Sequence, residues 1–118
     1  MNDIRWPTAG SAVFDAPVGS GVRTLLADSL PTNALVVASG AKVAHTYKGR
    51  GVTPQKLVGG GVPSADTVVL DHCLPRCEGP TWRALAGMCR GKTVVFVDHS
   101  TVLASPALAA IIARNARS

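Results

Sequence analysis

The sequence predicts an α/β domain, a mainly parallel sheet flanked by helices. Three observations predict it. Short apolar runs such as Ala34-Leu35-Val36-Val37-Ala38-Ser39 alternate with stretches that are apolar at helical spacing. The runs are apolar throughout, the pattern of strands covered on both faces. A glycine-rich turn, Ala16 to Thr24, joins the first run to the first helical stretch. Such alternation favours parallel strands joined by right-handed crossovers, with binding at the carboxyl ends of the strands.

The elements follow in order. Residues 1–10 read as a polar N-terminal arm, and 11–118 as the α/β domain. Within the arm, Trp6-Pro7 reads as an anchor for a partner or as a lid on the core, and the lid is favoured because a large aromatic ring gains by burial. Ala12 to Asp15 is a short buried strand. The helix after the glycine-rich turn runs to about Leu30 and is ended by Pro31-Thr32-Asn33. Ala34 to Ser39 is the second strand. Gly40 to Ser64 holds Gly49, Gly51, Pro54, Gly59-Gly60-Gly61 and Pro63. That density predicts a long, mobile surface segment, with a helical turn or two at Ala41 to His45. Thr67-Val68-Val69-Leu70-Asp71 is the third strand, and Thr93-Val94-Val95-Phe96-Val97-Asp98 the fourth; both end on an acid. A helix from about Pro80 to Cys89 lies between them, closed by Gly91. Ser105 as N-cap and Pro106 at the first helical position open the last helix, through Ile112.

The 118 residues suffice for one core, and a hydrophobic content of 47% argues against disorder. Charged residues are only 16%, which leaves room for a surface covered by a partner or by a second copy of the chain. The formal net charge of +5 fits either simple solubility or an anionic partner such as RNA or a membrane surface. No stretch approaches the roughly 18 apolar residues of a membrane span, and the first residues lack a signal-peptide pattern. A reducing, cytoplasmic setting is expected, and the three cysteines then read as free, partly buried thiols.

The chemistry concentrates at the glycine-rich turn. A strand, a turn with Gly19, Ser20 and Gly21, and then a helix form the setting in which backbone N–H groups close around phosphate oxygens. The lysine that such a loop places after its last glycine is Val22 here, and the hydroxyl residue after that lysine is Arg23. Val22 supplies neither a charge for the outer phosphates nor a ligand for Mg²⁺. Arg23-Thr24 offers a pair shifted by one residue. One residue on a helix is a rotation of about 100°, which aims the side chains elsewhere, although Arg23 can touch a phosphate from another angle. Asp71 stands where such folds hold Mg²⁺ through water, and equally well caps the following turn. His72 takes the next position, where a glutamate would activate water; its shorter reach makes it a poor replacement.

Three further groupings carry less. Asp98-His99-Ser100 are sequence neighbours without a G-x-S-x-G elbow, so a hydrolase triad is rejected. Cys73 and Cys77 have ligand spacing but no second tight pair, so no metal site is expected. Lys42, Tyr47, Lys48, Arg50 and Lys56 form the best basic patch. An aromatic ring among cations suits single-stranded nucleic acid, through stacking and phosphate contact, and a solvated loop has the same composition.

The order of these pieces resembles the first RecA-like domain of viral superfamily-1 RNA helicases of the alphavirus-like group, and most of all the triple-gene-block protein 1 movement proteins of plant RNA viruses. The Ala16 to Thr24 turn sits where the Walker A loop would be. Ala34 to His45 resembles the strand and motif Ia that follow. Thr46 to Gly51, then Gly61 to Asp71, resembles the run to Walker B. Val95-Phe96-Val97-Asp98 resembles the strand before motif III, with Val97 in place of its glycine and Thr101 in place of its glutamine. The resemblance covers residues 11–101 and rests on order and spacing more than on identities. It implies a single P-loop NTPase-like (RecA-like) domain, with Gly19, Ser20, Gly21, Arg23, Thr24, Asp71 and Asp98 as the remains of a nucleotide site.

The departures fall on the working residues, so the first expectation is a catalytically degenerate helicase-like domain. By resemblance its partners are single-stranded RNA and host or viral proteins, in virus movement or suppression of silencing. A small active NTPase with a non-standard loop, binding ATP and Mg²⁺, is the alternative. A non-nucleotide α/β interaction module of phage or bacterial origin is the third reading.

Overall fold

Five strands, β1 (Ser11–Asp15), β2 (Ala34–Ala38), β3 (Gly51–Val52), β4 (Thr67–Asp71) and β5 (Thr93–Asp98), form one sheet in the order β1-β5-β4-β2-β3, and every neighbouring pair is parallel. Helices α1 (Val22–Asp28), α2 (Ala41–Thr46), α3 (Pro54–Gly59), α4 (Pro80–Cys89) and α5 (Pro106–Asn115) flank it. The structure, a computed structural model, describes residues 6, 9–15, 22–47, 49–59, 65–73, 79–98 and 106–116. This is the α/β architecture that the sequence predicts, and it is compatible with a RecA-like domain.

The chain moves from β1 across to β2 and outward to β3, then returns through β4 to β5. Under the right-handed crossover rule, a reversal of direction sends the connecting helices to the opposite face. The core obeys this. On one face Val36, Val69, Val95 and Val97 pack with Leu26 of α1, and Val43 of α2 leans against them. On the other face Val37, Val68, Leu70, Val94 and Phe96 meet Leu85 and Cys89 of α4 and Ile112 of α5, with Leu57 of α3 alongside. Consecutive residues of β4 thus serve alternate faces, and all five are buried. Truncating one such side chain, as in Leu70→Ala, costs about 2–5 kcal/mol.

Trp6 is a lid, as the sequence suggests. It packs against the face that α1 and α2 cover, meets Phe14 edge-on at 5.5 Å, and its indole N–H donates to Ser29 Oγ at 3.3 Å. Helix α1 stops at Asp28, two residues short of the expected end. The Ser29 N–H turns back to the Leu25 and Leu26 carbonyls, and its hydroxyl also donates to Leu25 O. Ser105, expected as the N-cap of α5, lies outside the described residues.

The helical turns expected at Ala41 to His45 are present as α2, and the reading of the rest of Gly40 to Ser64 as a long, mobile surface segment is corrected. Residues 41–46, 51–52 and 54–59 form helix, strand and helix, and β3 extends the expected four strands to five. Three of the residues read as loop markers, Gly49, Gly51 and Pro54, have structural uses. A Cβ on Gly51 would stand 2.2 Å from the Ala44 carbonyl oxygen, so only glycine lets β3 approach α2 so closely. Gly49 makes the turn between them with φ +86°. Pro54 opens α3, where its fixed φ suits the first helical position. Residues 60–64 lie outside the described set. No helix of the described residues is long and apolar enough to cross a membrane.

Candidate functional site at the strand ends

The helices after β2 and β4 lie on opposite faces, so the carboxyl ends of these neighbouring strands form a switch point, the usual place for a ligand in an open α/β sheet. Asp71 is the last residue of β4 and lies opposite Ala38 of β2 and Val97 of β5. It is fully buried, and one carboxylate oxygen, Oδ2, accepts a 2.6 Å hydrogen bond from the Tyr47 hydroxyl. Tyr47 caps the C-terminus of α2, and its backbone N–H donates to the Ala44 carbonyl at 3.1 Å. Its ring fills the space among Leu26, Val36 and Val69. A phenol suits this position because its ring belongs to the core and its hydroxyl satisfies a buried carboxylate, which would otherwise carry a large desolvation cost.

This geometry corrects the basic patch. Tyr47 was expected to stack on a nucleic-acid base, yet it is fully buried. Arg50 was expected to meet phosphates. Its guanidinium is instead spent on the loop before β2, donating to the Pro31 carbonyl and, at 2.9 Å, to the Thr32 carbonyl. Its backbone also joins the ladder: Arg50 O accepts from Val36 N–H at 3.0 Å. The stretch that reads as an RNA motif is therefore a clamp holding β3 to the sheet. Lys42 and Lys56 are exposed, as a phosphate contact requires, and Lys48 lies outside the described residues.

Of the nucleotide-site set, Gly19, Ser20 and Gly21 lie outside the described residues. Thr24 is exposed on α1. Arg23 and Asp98 fall on α1 and β5, with side chains outside the described set. The register pairs Asp98 with Asp15 and Asp71 with Val97, so the sheet brings Asp71 and Asp98 to the same edge on neighbouring strands. His72, next to Asp71, has φ +52° and donates its backbone N–H to Val97 O at 2.9 Å. A left-handed histidine is uncommon, and here it lets the chain leave β4 while keeping one more bond to β5. Cys73 and Cys89 are buried in the core, more deeply than the expected partly buried thiols, and Cys77 lies outside the described residues. Among the described residues no group of three His, Cys, Asp or Glu side chains is placed to hold a metal ion.

A second feature escaped the sequence reading. A cleft of about 290 Å³ opens beside β3, between α2 and α3. His45 of α2, Thr53 between β3 and α3, and Lys56 of α3 line it, with Gly49 and Gly51 beside them. His45 and Thr53 were not among the expected site residues. Their spacing in sequence follows no motif, and only the packing of α2 on β3 brings them together. Comparison of the chain with family models, with curated proteins and with solved structures finds no match.

Proposed function

We propose that the chain is a helicase-like α/β scaffold that does not turn over nucleotide and binds single-stranded RNA through its phosphates. The observation that carries the reading is the sign of the exposed charge. Among the described residues the exposed charged side chains are Lys42, Lys56, Arg83, Arg90 and Arg114 against Asp28 and Asp66. With a net charge of +5, such a surface attracts a polyanion. The burial of Asp71 beneath Tyr47 supports the absence of turnover, because the carboxylate is closed off from solvent and one of its oxygens already accepts a hydrogen bond inside the fold. By resemblance, virus movement or suppression of RNA silencing is the setting proposed for such a protein. Filter binding of a labelled oligouridylate tests the reading. Binding that is clear at low salt and falls steeply towards physiological salt is expected, since each phosphate contact releases counterions. Release of phosphate from Mg²⁺-ATP above background, or no RNA binding at low salt, would overturn it.

A further inference from the structure

We infer that the cleft beside β3 is a binding site for a nucleoside phosphate, free or as one unit of a single-stranded RNA. The inference deepens the RNA reading by giving it a seat, and rests on that reading only for the RNA arm.

The lining residues carry the argument. His45 and Lys56 approach the cleft from two different helices, and among the described residues no acidic side chain lines it. Neither of these side chains has a hydrogen-bond or ion-pair partner among the described residues. Two cationic or polar donors facing an open space, without a carboxylate between them, are what a phosphate group needs. Thr53 adds a hydroxyl, which both donates and accepts. The remaining walls, Ala41, Ala44 and Val52, are small and apolar and suit a sugar or the face of a base. The volume of about 290 Å³ sits at the lower bound of small-molecule sites, so it admits one nucleotide unit. The walls are also fixed. Gly51 touches α2 at backbone distance, and the Arg50 and Tyr47 contacts hold the strand and helix that line the cleft. A site built on such elements loses little freedom when it binds.

The test pairs two probes with two variants. Backbone amide NMR follows titration of the whole chain with adenosine 5′-monophosphate and, separately, with adenosine. Filter binding follows an oligouridylate. The amides of Ala44, His45, Thr53 and Lys56 should shift together with the monophosphate and stay in place with adenosine. Lys56→Glu should weaken both monophosphate and RNA binding about tenfold, while Gln55→Ala, exposed on the same helix outside the cleft, leaves both unchanged. RNA binding that persists in Lys56→Glu, with no monophosphate shifts, overturns the cleft site and leaves the RNA reading standing. Monophosphate shifts lost in Lys56→Glu, with no RNA binding, support the cleft as a free-nucleotide site and remove the RNA reading. Neither probe binding overturns both.

Discussion

Two crevices flank β2, and they have opposite fates. At the β2–β4 junction the strand ends face a fully buried Tyr47, whose hydroxyl holds Asp71. At the β2–β3 side, α2 and α3 again lie on opposite faces of the sheet, but the space between them stays open and is edged by His45 and Lys56. The topology provides a place for a ligand at both junctions. What decides between them is the side chain that the connecting segment presents. A large aromatic ring fills the first crevice; glycines at 49 and 51 leave the second unfilled. The lesson is that a strand ending on an acid marks where a site can be, and the residues that pack over that acid determine whether one exists.

The largest test of the comparison removes the plug. Tyr47→Ala deletes a fully buried ring and the hydroxyl on Asp71, and should lower stability by about 3–5 kcal/mol in urea unfolding followed by circular dichroism. Tyr47→Phe keeps the ring and loses only the hydroxyl, at about 1–3 kcal/mol, because a buried carboxylate oxygen loses a donor. If the two variants unfold at the same denaturant concentration, the ring is not packed as described and the first crevice is not closed by it.

A smaller effect is expected at the open crevice. Gly51→Ala brings a methyl group against the Ala44 backbone, which must shift to admit it. A loss of about 1–3 kcal/mol should accompany the overpacking, and α2 and β3 should separate. Retained stability together with an unaltered amide spectrum for Ala44 to Thr53 would contradict the close approach.

How much of this was legible beforehand depends on the residue. β4 and β5 were plain in the sequence because strands buried on both faces read as unbroken apolar runs, and their ends on Asp71 and Asp98 were placed correctly. β3 was not legible. It has two residues, one of them glycine, and its existence depends on the Arg50 clamp and the contact with Ala44. Tyr47 illustrates a different obstacle. An aromatic residue between basic residues has the same local pattern whether it stacks on a base or enters a core. Here the deciding partner, Asp71, lies 24 residues away. The cleft combines both difficulties, since His45 and Lys56 meet only after β3 has formed.

The two faces of the sheet have one more consequence. Trp6 packs on the face covered by α1 and α2, and Trp82 of α4 packs on the other. They are the only tryptophans in the chain. The protein therefore carries one tryptophan per layer. Replacing either with phenylalanine and exciting the remaining indole selectively turns emission into a report from a single side of the sheet, so that loss of order on the layer of Tyr47 and loss of order on the opposite layer can be followed as two separate unfolding curves.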